Sequence, residues 1–240
     1  MLFQKEYIIT SHDTDSKNII KPSALVRYLQ DTASSQMKEE KPSYEDLFAQ
    51  NLAFIIAKIS VNIYTDLQKY DKILVSSWPC NSTGIISTRC YRVLCNNKVA
   101  VEAISNWALV NTQTKKLTKL DTIKDTYTYS EQLNCYNPRF IIPKDEMKTV
   151  SEYEVTYSNI DINHHMNNTV YHNIFYDRIP DIEKKKVVHF CVNYKKEIVL
   201  ADKVEIQISE PHYNDDETIS YYFNAVKDGI SCTQAFFKVK

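Results

Sequence analysis

Apolar and polar residues alternate with period two over long stretches of this chain. Residues 54–64, 72–78, 85–94 and 99–110 are rich in β-branched and aromatic side chains and are separated by short polar turns, which predicts four strands. Residues 187–194, 203–209, 218–226 and 230–239 have the same character and predict four more. Two segments change to helical spacing. Leu25, Leu29, Ala33 and Met37 recur four apart within 22–37, and Val170 with Ile174 and Tyr171 with Phe175 do the same within 168–177. A further short helix is expected over 44–50, with Ser43 as its N-cap.

The two sets of strands read as copies. Residues 71–79 parallel 202–211, and the strand pair at 85–110 parallels the pair at 218–239. A helix precedes each set, so the order is strand, helix and several antiparallel strands, twice over. Runs of strands after one helix indicate an α+β fold rather than alternating α/β. One antiparallel sheet wrapped around one long apolar helix meets the burial needs of each copy, and two such units side by side can hide sheet edges. The stretch 121–143 is weakly patterned and carries Asn137-Pro138 and Pro143, which marks it as the connector. The expected division is a first repeat over 1–125, a connector over 126–148 and a second repeat over 149–240.

Composition narrows the function. Of 240 residues only Gly84 and Gly229 are glycine, against roughly 7% in an average chain. Dinucleotide and phosphate-loop motifs need several closely spaced glycines and are excluded. Each glycine falls in a predicted hairpin turn. The corresponding turn of the other copy, Asn214-Asp215-Asp216 for Gly84 and Asn96-Asn97 for Gly229, uses residues that also tolerate positive φ. A net charge of −1 gives no basic excess for nucleic acid. No apolar run is long enough to span a membrane, and the N-terminus has neither signal-peptide nor transit character, so a cytoplasmic protein is expected. Six cysteines lie scattered without a C-x-x-C pair and read as reduced, mostly buried thiols.

Chemically capable side chains concentrate in one place. Residues 157–171 hold Asp161, Asn163, His164, His165, Asn167 and Asn168 just before the second helix. Amides in a helix's first turn are unpaired and partly positive, which suits a developing oxyanion. In an extended lead-in, Asp161, Asn163 and His165 would share one side. Plainer readings stand beside this one. Asn167 or Asn168 caps the helix, Asp161 anchors a turn, and a histidine near a helix start is an ordinary surface or core residue. A metal site is disfavoured, because His164 and His165 are adjacent and lack the usual ligand spacing.

The run Asp161-x-Asn163-x-His165-x-Asn167-Asn168-x-x-Tyr171 resembles the D-x-N-x-H-x-N-N-x-x-Y signature of the acyl-ACP thioesterases of plants and bacteria, where ACP is acyl carrier protein. Residues 103–119 resemble the segment that closes that family's first repeat, and Asn193-Tyr194-Lys195-Lys196-Glu197 resembles its Y-R-R-E element. The resemblance covers nearly the whole chain. It implies a tandem (double) hotdog fold and hydrolysis of fatty acyl-ACP without cofactor or metal, ending fatty acid elongation. Asp161, Asn163, His165 and Glu197 fall on the family's catalytic positions. Asn167 and Asn168 stand at the helix start where an oxyanion would be held. Some members carry a cysteine after the glutamate. Here that residue is Ile198, which puts a Cys–His scheme in doubt and favours water as nucleophile.

The resemblance further implies an acyl carrier protein as partner, allows a homodimer, and gives the first repeat the acyl chain. That repeat has its counterpart of the signature near Asp15 to Ile19 and of Glu197 near Thr65-Asp66, and it lacks the Asn and the His. The partner is typically acidic, so Lys184 to Lys186 and Lys195-Lys196 are candidate landing surfaces, although a solvated charge run explains each cluster as well. Two alternatives remain at this stage: an acyl-CoA thioesterase of the same fold, and a non-catalytic acyl-binding module. A hotdog hydratase is disfavoured, because the stretch from Asp161 to His165 is one residue shorter than D-x-N-P-x-H and has no proline.

Overall fold

The computed structural model describes residues 2–80, 82, 84–123, 127 and 129–240. The chain divides into two compact units, Met1–Ile20 with Leu25–Tyr136 and Lys21–Ala24 with Asn137–Lys240. The repeat boundary expected at 125/126 lies outside the described residues.

The first unit comprises β1 (Phe3–Ile8), α1 (Pro22–Glu39) from Leu25 onward, α2 (Tyr44–Ala49), β2 (Leu52–Ile63), β3 (Lys72–Cys80), β4 (Ile86–Cys95) and β5 (Lys98–Asn111). Its sheet has the order β1-β3-β4-β5-β2, antiparallel throughout. Pro22 suits the first position of α1, where its missing N–H costs no hydrogen bond. The apolar stripe of α1 is buried, with Leu25, Val26 and Leu29 fully enclosed and Ala33 nearly so. Each large aliphatic side chain so buried contributes about 1.5–3 kcal/mol. Met37 is partly buried and packs against Leu47, Leu52 and Leu109. Asp31 ties α1 to β1 by accepting from Lys5 Nζ and Tyr7 Oη, each at 2.7 Å. A capping box starts α2: the Ser43 hydroxyl accepts from the Asp46 N–H, and the Asp46 carboxylate accepts from the Ser43 N–H.

The second unit comprises β6 (Lys148–Glu154), α3 (Asn168–Tyr176), β7 (Val187–Tyr194), β8 (Lys203–Ile208), β9 (His212–Tyr213), β10 (Ile219–Lys227) and β11 (Ile230–Val239). Its ladder runs β6-β8-β10-β11-β7, again antiparallel, with β9 on β10. The core is aromatic. Phe175 of α3 lies tilted against Phe223 at 5.2 Å, and Phe237 stacks on Phe190 at 5.6 Å, all four fully buried. At nine residues α3 is half as long as the eighteen-residue α1. Arg178 closes it early by donating through Nη1 to Ile174 O at 2.8 Å and through Nε to Ser151 Oγ of β6 at 2.6 Å. Pro180 then cannot continue a helix.

The hairpin turns follow the sequence reading. Asp228 and Gly229 have φ of +49° and +72°, and their counterparts Asn96 and Asn97 have +50° and +59°. Both central residues positive is the type I′ pattern, which matches the twist of the flanking strands. Gly84 has φ +79°, while Asn81 and Thr83 of the same turn lie outside the described residues. The connector stretch docks on the first unit: the Ser130 N–H donates to Pro79 O, and Trp78 Nε1 donates to Glu131 O.

Candidate active site

Residues 161–165 do not form the extended lead-in that their alternation suggests. They close a tight turn in which the Asp161 N–H donates to His165 O and the His164 N–H donates to Asp161 O, both at 3.0 Å. The cause is the Asp161 side chain, whose Oδ1 accepts the Asn163 N–H at 2.8 Å in an Asx-type turn. His164 takes the left-handed conformation at the tip, φ +64°, and is exposed, as is Asn163. The turn brings Asp161 and His165 together, with Oδ1 to Nδ1 at 3.8 Å and each side chain about one-fifth exposed. That is ion-pair range and too long for a hydrogen bond.

Glu197 reaches the same place through the backbone. The Met166 N–H, next to His165, donates to Ile198 O at 2.7 Å, so the segment bearing Glu197 lies against the turn. Glu197 itself is exposed. The helix start separates the two asparagines. Asn167 is the N-cap, its Oδ1 accepting the Thr169 N–H at 2.9 Å, and its own N–H is committed to Asn159 O at 2.8 Å. The Val170 N–H returns to Asn167 O. Among the described residues the Asn168 N–H has no partner, which makes it the open donor of the first turn.

The first unit has the same backbone frame with different side chains. There the Asp15 N–H donates to Ile19 O, Asp15 Oδ1 accepts the Lys17 and Ile19 N–H groups, and Asn18 has φ +62° at the tip. The Ile20 N–H donates to Leu67 O, as Met166 does to Ile198. Thus Asp15 corresponds to Asp161, Lys17 to Asn163, Ile19 to His165 and Asp66 to Glu197. The first frame keeps two carboxylates and has no imidazole.

Beneath the site Tyr194, of the element resembling Y-R-R-E, pairs with a histidine that the sequence reading did not single out. His172 of α3 is fully buried, its Nε2 lies 2.9 Å from Tyr194 Oη, and Tyr194 Oη also donates to Asn168 O at 3.3 Å. Burial pushes the His172 imidazole down to about 3, so it is neutral at physiological pH. Its position on the apolar face of α3 was the available signal. Ile198, which follows Glu197, is buried, and desolvation raises the buried Cys232 thiol. Among the described residues no group of three or more His, Cys, Asp or Glu side chains could hold a metal ion. Among them, too, no helix is long and apolar enough to cross a membrane.

A sheet-and-helix unit repeated in this way is the hotdog fold, here in tandem, and solved structures share it over the full chain. An acyl-ACP thioesterase from Bacteroides thetaiotaomicron superposes with a TM-score of 0.88 at 19% identity, covering 100% of this chain and 98% of that one. A putative oleoyl thioesterase from Lactobacillus plantarum gives 0.88 at 14% identity, covering 100% and 96%. The 12:0-ACP thioesterase from Umbellularia californica gives 0.81 at 14%, covering 100% and 97%. Two family models match the sequence itself, the acyl-ACP thioesterase N-terminal domain over residues 1–127 and the C-terminal domain over 142–237. The chain belongs to the acyl-ACP thioesterase family and is a thioester hydrolase. A search of curated protein sequences finds no match.

Proposed function

We propose that the second unit hydrolyses fatty acyl-ACP to a free fatty acid and the unloaded carrier, ending chain elongation, and that the first unit holds the acyl chain. The supporting observation is the contrast between two matching frames. The Asp161–His165 pair at 3.8 Å and the adjacent Glu197 occupy positions where the first unit has Asp15, Ile19 and Asp66.

The reaction needs water, a base and a place for negative charge. Glu197, acting with His165, takes a proton from water as its oxygen attacks the thioester carbonyl. An imidazole can take up a proton at one nitrogen and pass it on, which suits this exchange. Asp161 stabilises the imidazolium as it forms. The open Asn168 N–H and the Asn163 side chain receive the carbonyl oxygen as it becomes an oxyanion. Asn167 serves this step by holding the helix start in place. Collapse of the tetrahedral species breaks the C–S bond, and the proton held by the base returns to the thiolate. The products are one carboxylic acid and one thiol. A thiolate is a far better leaving group than an amine, so weak acid assistance suffices.

The test is acyl-ACP hydrolysis by His165→Ala and Glu197→Ala. Each is expected to lose on the order of 10²–10⁴ in kcat with the fold intact. Wild-type rates in both would refute the assignment. Parallel rates on acyl-CoA distinguish a carrier-specific enzyme from a CoA thioesterase.

A further inference from the structure

The two lysine clusters of the second unit are not equivalent. Lys184 to Lys186 precede β7 and Lys195-Lys196 follow it, so an eight-residue strand of roughly 26 Å separates them. Lys184 pairs with Asp181 at 3.7 Å, and Lys185 Nζ donates to Pro180 O and to Tyr221 Oη. Lys195 and Lys196 are exposed and have no carboxylate within 4.0 Å among the described residues. They stand at the site's end of the strand, both backbone N–H groups donating to Cys232 O.

The same rim exposes large apolar side chains. Ile162 is 86% exposed, Tyr157 82%, Leu200 50% and Val199 42%. Backbone bonds make these loops neighbours: Met166 N–H to Ile198 O at 2.7 Å and Ala201 N–H to Val155 O at 2.9 Å. Isolated exposed apolar residues are ordinary, but a group of them on adjoining loops around a polar site marks an interaction surface. Two nearby acids are already engaged, Asp202 by Lys227 at 2.6 Å and by the Val199 N–H, and Asp161 within its turn. Glu197, next in sequence to Lys196, is exposed and belongs to the site itself.

We propose that the loop surface formed by Tyr157, Ile162, Lys195, Lys196, Val199 and Leu200 docks the acidic protein that carries the thioester. This rests on the proposed function of the same site. A substrate bonded to a carrier protein brings that protein's body to the rim of the site, and this surface is that rim. Two unpaired ammonium groups beside an apolar patch fit a partner with acidic side chains around an apolar contact. A second copy of this chain seated there would cover the catalytic turn.

The experiment compares acyl-ACP with the same acyl group on N-acetylcysteamine, a small uncharged thiol. Lys195→Glu/Lys196→Glu is expected to raise KM for acyl-ACP about tenfold or more and to flatten the fall of kcat/KM with salt. Its kcat on the small thioester should stay at the wild-type value. Leu200→Ser should raise KM for acyl-ACP alone without changing the salt slope. Equal losses on both substrates, or an unchanged KM for acyl-ACP, would overturn the proposal. So would sedimentation showing that the variants turn a dimer into monomers. Anisotropy of labelled holo-ACP reads docking apart from cleavage. If the wild type binds the carrier, the charge-reversed variant does not, and neither thioester is hydrolysed, docking stands and the catalytic reading falls. If the wild type hydrolyses the small thioester but does not bind the carrier, the reverse holds.

Discussion

Asp13 offers a sharp test of how the first unit is held together. Its side chain is 3% exposed, yet it is surrounded by donors: the Thr10 N–H at 2.9 Å, the Thr10 hydroxyl at 2.6 Å, the Tyr28 hydroxyl at 2.7 Å and the Arg27 guanidinium. Burial alone would raise its pKa. The hydrogen bonds and the cation outweigh burial and hold it at about 2, below the ordinary 3.8. At about 1.4 kcal/mol per pH unit of displacement, ionised Asp13 contributes about 2 kcal/mol near neutrality. That figure is an upper bound, because the Arg27 side chain is 59% exposed and solvent screens its share. A depressed carboxylate stabilises the fold above its unfolded pKa, and the contribution is lost as pH falls through the folded value. About half should be gone by pH 3. Asp13→Asn removes the charge and places an amide donor among donors. We expect the variant to be less stable by about 2 kcal/mol at pH 7 and by about 1 kcal/mol at pH 3. Trp78 and Trp107 are the chain's two tryptophans and both lie in the first unit, so urea unfolding followed by tryptophan fluorescence reports on the unit containing Asp13. Equal stability of variant and wild type at pH 7, or a gap that does not narrow by pH 3, would refute the reasoning.

In the second unit His172 sets an acid sensitivity of a different origin. Burial depresses its pKa from 6.5 to about 3, so its contribution is complete above 6.5 and is lost as pH falls toward the folded value. Between pH 6.5 and 5 this group should cost the wild type about 2 kcal/mol, and His172→Phe should flatten that slope in unfolding curves followed by far-UV circular dichroism. Phe175→Ala, which empties a fully buried position between α3 and Phe223, should cost about 3–5 kcal/mol by the same measurement. A cost below 1 kcal/mol would mean the aromatic layer is not packed as described.

The strands were legible because their alternation is long and β-branched, and the four strands of each set begin and end within two residues of their expected positions. The edge strands β1 and β6 were expected but not located, since their patterns mix exposed and half-buried positions. The structure brings Asp161, His165 and the segment bearing Glu197 together, but their geometry was not readable from spacing. Whether 161–165 is extended or turned depends on one side chain-to-backbone bond, Asp161 to the Asn163 N–H. Which helix-start amide stays open depends on Asn159, eight residues before Asn167, accepting the Asn167 N–H. The pairing of Lys184 with Asp181, against the free Lys195 and Lys196, likewise emerges only once the chain turns at Asp181, where φ is +51°. Spacing along a chain identifies which groups are near each other in sequence, whereas a hydrogen bond decides which of them remain available.

The paired frames sharpen what Asp161 does. Its counterpart Asp15 keeps the same carboxylate-to-N–H bond in a unit with no imidazole, so the role common to both is to hold the turn. Asp161 also faces His165 at 3.8 Å. At that separation opposite charges attract by about 1 kcal/mol at the dielectric of water and about 4 kcal/mol at an effective dielectric near 20. Asn can accept the same backbone bond through its amide oxygen but carries no charge, so Asp161→Asn separates the two roles. The turn and the thermal stability should survive, while kcat should fall at least about fivefold, the lower end of that electrostatic range. Asp161→Ala should lose the turn as well and fall further. Asp15→Asn should leave kcat unchanged, because its frame has no imidazolium to stabilise. Wild-type kcat in Asp161→Asn would make Asp161 a turn residue alone and would leave His165 to act without an electrostatic partner.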